Sequence, residues 1–153
     1  MFRISERFKE VDMQNLLAQL VQLENVINQL ANIRSQLLVA HSNALLCLES
    51  LRWLKENKAP PSMLLPLGSG VFIKVGQPDL SLLMVSIGSG ILVKKPIDEA
   101  ISIMEERIKK LEQSIKDVEI NLSKAINSYE NVRNMIVMLQ SKTQSKERGI
   151  SES

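Results

Sequence analysis

From Met13 onward the apolar residues recur at alternating steps of three and four: Met13, Leu16, Leu20, Leu23, Ile27 and Leu30, then Leu37, Ala44, Leu48 and Leu51. Side chains at that spacing form one narrow stripe on a helix, of the width that a second helix covers. Arg34 and His41 occupy two rungs of the ladder. A polar residue in such a seam commonly fixes register at some cost in stability, and that structural role is expected here in preference to ligand binding or pH sensing.

A second ladder runs through Ile97, Ile101, Met104, Ile108, Leu111, Ile115, Val118, Leu122, Ala125, Tyr129, Val132, Ile136 and Leu139, and none of its rungs is charged. Pro96 stands where a first-turn proline is tolerated, and Asp98 and Glu99 complement the positive end of the helix that follows. Neither stripe is stable in water alone, and the two have matching lengths, so an antiparallel helical hairpin is predicted. With Leu51 facing Ile101, Leu48 meets Met104, Ile27 meets Ala125, Leu16 meets Ile136 and Met13 meets Leu139, with no skip.

Between the ladders the period changes and the chain repeats itself. Gly68-Ser69-Gly70-Val71-Phe72-Ile73-Lys74 is echoed by Gly88-Ser89-Gly90-Ile91-Leu92-Val93-Lys94, each copy preceded by an apolar run. Each reads as a β-hairpin with a glycine turn, and Gly76-Gln77-Pro78-Asp79 separates the two. A lone hairpin is marginal in water, and these strands carry Val, Ile and Leu on both faces. The hairpins are therefore expected to assemble with strands of other subunits through Leu65, Leu67, Val71, Phe72, Ile73, Leu83, Val85, Ile87, Ile91, Leu92 and Val93.

The fold class predicted is α+β: a long antiparallel coiled-coil hairpin with two central β-hairpins that assemble with those of other subunits. One domain is expected over residues 1–140, with helices over about 8–56 and 97–141, β-hairpins over about 62–75 and 81–95, and a disordered tail at 142–153.

Composition narrows the chemistry. Only 3% of the residues are aromatic against 44% apolar, which suits long Leu/Ile-rich helices more than a globular core. Nineteen basic and 17 acidic residues leave a formal charge of +2, too balanced for a nucleic-acid surface. A lone Cys47 and a lone His41 allow neither an internal disulfide nor a metal cluster, and their spacing of six keeps them off one helix face. The Gly-Ser-Gly turns lack the Lys-Ser/Thr ending of a phosphate loop, and no serine has an activating histidine nearby. No catalytic site, cofactor or metal is expected. Charges among the first thirty residues argue against an export signal, and the longest apolar stretch, Leu82 to Val93, is too short to span a bilayer. A cytoplasmic protein is expected.

Pro66-Leu67-Gly68-Ser69-Gly70-Val71-Phe72, and then Ile87-Gly88-Ser89-Gly90-Ile91-Leu92-Val93-Lys94-Lys95 running into a heptad helix, closely resemble the alpha-class prefoldin subunits. The resemblance covers about residues 11 to 140 and includes the order helix, two hairpins, helix; beta-class subunits carry one hairpin. It implies a hexamer of two alpha and four beta subunits. In that assembly hairpins build a β-barrel platform, unfolded clients bind at the free ends of the coiled coils, and a group II chaperonin receives them. The basic tail from Lys142 to Arg148 and the short Gly76 to Asp79 link depart from common members.

The antiparallel register places the N-terminal segment and residues 130–140 together, far from the hairpins, and with the resemblance these become the client-binding candidates. They are Phe8, Val11, Met13, Leu16, Leu17, Met135, Ile136, Met138 and Leu139. A two-stranded seam buries Ile136 and Leu139 but leaves Met135, Val137 and Met138 at least partly exposed. Flexible thioethers suit many apolar partners. Two other readings use the same heptads: a homo-oligomeric or filament-forming paralogue, and a coiled-coil scaffold without client binding.

Overall fold

The structure is a computed structural model that describes residues 2–151, with the side chains of Arg7 and of residues 9–145. Helix α1 spans Phe2–Glu56 and α2 spans Ile97–Ser151; between them lie strands β1 (Ser62–Gly68), β2 (Val71–Gly76), β3 (Leu83–Gly88) and β4 (Ile91–Lys95). The chain forms two compact units, Leu37–Ser114 and, separately, the segment up to Gln36 together with that from Ile115.

In the hairpin-bearing unit, Ala44, Leu48, Met104 and Ile108 are buried in one cluster, with Leu51, Ile101 and Leu111 packed against it. These are the rungs that the antiparallel register brings together. Polar pairs flank them: His41 Nε2 lies 3.2 Å from Glu112 Oε1, Arg52 Nη2 lies 2.8 Å from Glu105 Oε1, and Lys55 pairs with Asp98. In the other unit Ala125, Val132 and Ile136 are buried, and Met13, Leu16, Leu20, Leu23, Ile27 and Leu30 are half-buried. There Arg34 donates from Nε to Glu119 Oε1 at 2.9 Å. Both polar rungs of the first ladder thus face a carboxylate one residue past a rung of the second.

Helix α1 ends in a left-handed cap. Lys58 and Ala59 have φ of 50° and 57°, and the Ala59 amide donates to the Leu54 carbonyl at 3.1 Å, which satisfies an otherwise orphaned helix-end acceptor. Gln77 then ties the link between the hairpins to this cap, its Nε2 donating to the carbonyls of Ala59 at 3.2 Å and Lys58 at 3.4 Å.

β1 pairs antiparallel with β2 and β3 with β4, as two separate two-stranded sheets. Each turn runs through three residues of positive φ, Gly68-Ser69-Gly70 and Gly88-Ser89-Gly90, and each has a bulge just before it. Only glycine holds such angles without a Cβ penalty, which is why the repeat brackets its serines with glycines. The second hairpin begins at Leu83 rather than 81 because Ser81 donates from its amide and hydroxyl to Asp79 Oδ1, at 2.9 and 2.6 Å, and closes a turn there.

Helix α2 continues through Ser151, past the expected boundary near residue 141. Residues 140–148 contain no Gly or Pro and are mostly Gln, Lys, Glu and Arg, which favour helix without needing an apolar partner. Thr143 and Ser145 also direct their hydroxyls to the carbonyls of Leu139 and Ser141, both at 2.9 Å, and so leave the backbone ladder intact. Likewise α1 begins at Phe2, before the expected start near residue 8.

Candidate assembly surface and tip segments

Alternation along each strand sorts the hairpin side chains into two faces. On β3–β4 one face is covered: Val85 is buried, and Leu83, Val93 and Lys95 are half-buried. The hairpin is fastened on that side by α2, since Arg107 Nη2 donates to the Ser86 carbonyl at 2.7 Å and the Ile97 amide donates to the Leu80 carbonyl at 2.9 Å. The other face, with Met84 and Leu92, is exposed, as are Ile87 and Ile91.

β1–β2 is open on both faces beyond its base, where the paired Met63 and Val75 are half-buried. Leu65, Val71 and Ile73 are exposed on one, Leu64 and Phe72 on the other, and Leu67 is exposed beside the turn. Of the residues expected to mediate assembly, Val85 alone is buried within its own chain and Leu83 and Val93 are half-covered. Met84 and Leu64 belong with the exposed set although the sequence reading passed over them. They stand directly opposite Lys94 and Lys74 in the strand register, so alternation assigns them to the more polar face.

The predicted tip residues divide as well. Val11 and Leu17 on α1, and Met135, Val137 and Met138 on α2, are exposed, whereas Met13, Leu16 and Leu139 are half-buried and Ile136 is buried. The side chain of Phe8 lies outside the described residues.

Asp79 is held below the usual carboxylate range by the Ser81 hydroxyl and then by the Ser81 amide. Glu106 is lowered by its hydrogen bond to Lys110 and by that ammonium's charge, at 2.9 Å. Among the described residues no group of three or more His, Cys, Asp or Glu side chains is placed to hold a metal ion, and no helix is long and apolar enough to cross a membrane.

One feature escaped the ladders because they record only seam positions. Near its C-terminal end α1 carries an open groove of ≈ 510 Å³ lined by Leu45, Leu48, Glu49, Arg52, Trp53 and Glu56. Trp53 in it is half-exposed. A Trp, Leu and Val at seven-residue spacing, Val39, Leu46 and Trp53, was the visible signal of a second apolar stripe.

The Prefoldin family, described as prefoldin subunit, matches residues 36–145. The prefoldin subunit alpha of Methanocorpusculum labreanum is 31% identical over 123 residues, covering 80% of this chain and 81% of that protein. The prefoldin subunit alpha of Pyrococcus horikoshii is 44% identical over 69 residues, 45% of each chain. Among solved structures, filamentous PFD from Methanocaldococcus jannaschii, seen by cryo-electron microscopy, has a TM-score of 0.50 at 22% identity, covering 80% of this chain and 95% of that one. A heptad hairpin interrupted by two glycine-turned β-hairpins, matched along most of its length by alpha subunits, belongs to the prefoldin subunit family, in its alpha class.

Proposed function

We propose that this chain, a prefoldin chaperone subunit, captures unfolded polypeptides without ATP at the tips of its coiled coil and delivers them to a group II chaperonin. It works in the cytoplasm within a hexamer of two alpha and four beta subunits, whose hairpins join in a shared β-barrel. The observation that carries this reading is the placement of apolar surface outside the seam. Two hairpins present Leu64, Leu65, Leu67, Val71, Phe72, Ile73, Met84, Ile87, Ile91 and Leu92 to solvent, and among the described residues no other strand covers them. Surface of this kind calls for partner strands.

The tip assignment is supported by Val11, Leu17, Met135, Val137 and Met138, exposed on the two helices of one unit. Burying one such side chain contributes on the order of 1.5 to 3 kcal/mol before ordering costs, so a single arm binds weakly. Several arms on one client raise the overall affinity through effective concentration, and capture then needs no nucleotide while release needs only a competing binder. The test is to replace Leu17, Met135 and Met138 with Ser. The assembly should keep its mass while losing suppression of client aggregation; unchanged suppression would remove the tips from the account.

A further inference from the structure

Hairpins that meet partner strands must be aimed at them, and a two-stranded sheet on a loose base would have to be ordered at every encounter. Each hairpin of this chain is fixed by a side chain that donates to backbone carbonyls.

β3–β4 is fastened by Arg107 of α2, whose Nη2 donates to the Ser86 carbonyl at 2.7 Å beside the buried Val85. α2 also holds both ends of this hairpin. The Ile97 amide donates to the Leu80 carbonyl at 2.9 Å, and Lys95 Nζ lies 2.7 Å from Glu99 Oε2.

β1–β2 is held in another way, because its two chain ends meet at one place. It enters from the α1 cap, where Lys58 and Ala59 are left-handed and Pro60-Pro61 follows. It leaves through Gln77, whose Nε2 returns to that cap, 3.2 Å from the Ala59 carbonyl and 3.4 Å from that of Lys58. Ala59 is buried and makes a firm anchor. Pro60 and Pro61 have no N–H, so the two residues after the cap cannot serve these carbonyls, and Gln77 supplies a donor from the far end of the hairpin.

Strand pairing does not require Gln77, since the ladder ends at Ser62 opposite Gly76. What the glutamine adds is closure of the segment from 59 to 77 into a ring. The link beyond it is pinned as well: Ser81 closes a turn on Asp79, and Leu80 is held by α2.

We infer that Gln77 and Arg107 are positioning residues for assembly, Gln77 aiming β1–β2 from the α1 cap and Arg107 aiming β3–β4 from α2. The inference rests on the hairpin-mediated assembly proposed above and names the residues that ready this chain for it. Each acts through the hairpin that it holds and not by touching a partner.

The experiment uses the full-length chain in two parts. Cys47 is exposed on α1, and the two turn tips accept a second label through Ser69→Cys or Ser89→Cys, all within the hairpin-bearing unit. Paired spin labels then read the distance from α1 to each tip in the free chain. Gln77→Met should broaden the distribution to position 69 and leave that to position 89 unchanged, Arg107→Met should do the converse, and Gln77→Lys, which restores a donor, should narrow the first again. On mixing with a beta-class prefoldin subunit, Gln77→Met should slow association by about three- to tenfold with dissociation unchanged, because partner strands hold the hairpin once it is assembled. Unchanged distances, broadening at both tips from either variant, or no recovery in Gln77→Lys would overturn the inference. Faster dissociation would make Gln77 a direct contact and overturn it too. If the distances respond as stated while the unaltered chain fails to join the beta-class subunit, the holding role of the two side chains stands and the assembly reading falls.

Discussion

Leu48→Ala tests the helical pairing at its best-packed layer. Leu48 is 7% exposed and sits in one cluster with Ala44, Met104 and Ile108. The substitution removes the transfer free energy of a nearly buried isobutyl group and leaves a cavity beside it. Ala44, one turn away, is too short to fill that space, but Met104 is flexible and a two-helix seam can close partly from its flanks. The expected cost is therefore about 3 kcal/mol, towards the lower end of the range for buried leucines. Leu46, two residues away and 60% exposed, is the control, and its truncation should cost less than about 0.5 kcal/mol. Urea unfolding followed by far-UV circular dichroism, at one protein concentration because association is linked to stability, measures both. Equal losses in the two variants, or a Leu48→Ala loss below about 1 kcal/mol, would refute the seam as described.

Three further outcomes are expected. Arg34 pairs with Glu119 in a solvent-exposed geometry worth at most about 1 kcal/mol. Arg34→Leu, which completes the ladder, should raise the urea midpoint while Arg34→Glu lowers it; a lowered midpoint in the leucine variant would contradict the seam assignment. Lys58 holds a left-handed φ of 50°, so Lys58→Gly should stabilise the α1 cap by about 0.5 to 1 kcal/mol in the same assay, and destabilisation would mean that the lysine side chain matters there. Because Asp79 is depressed, its stabilisation is present above the ordinary carboxylate value and is lost as pH falls through its lowered one. Ser81→Ala keeps the amide bond but removes the hydroxyl, so the Asp79 midpoint in a carboxyl-carbon NMR titration should move up, and an unmoved midpoint would refute the turn's role.

Much of the architecture could be read from spacing. The heptad ladders name both helices because three-four periodicity has one interpretation at that length, and the Gly-Ser-Gly repeats name both turns because only glycine serves positive φ cheaply. The polar rungs Arg34 and His41 were visible as exceptions. Their partners were visible too, since Glu119 and Glu112 follow Val118 and Leu111 by one residue, but only once the register was propagated to the flanking positions. The helical course of residues 142–151 was not legible from apolar pattern, because what favours it is propensity without packing. The Trp53 groove was hidden for the opposite reason. Its residues are ordinary helix positions, and only the fold determines which of them are left without a neighbour. The bond from Arg107 to the Ser86 carbonyl likewise links elements apart in the chain, and no local pattern announces that contact.

The central claim, a chaperone subunit that assembles through its hairpins, is tested most directly by light-scattering mass. The purified chain is measured alone and after mixing with a beta-class prefoldin subunit, and the product is then assayed for suppression of aggregation of a denatured client without ATP. The account predicts a defined heteromer with the mass of two alpha and four beta subunits that keeps the client soluble. A stable monomer or dimer indifferent to the beta subunit, or large assemblies of this chain alone, would contradict it.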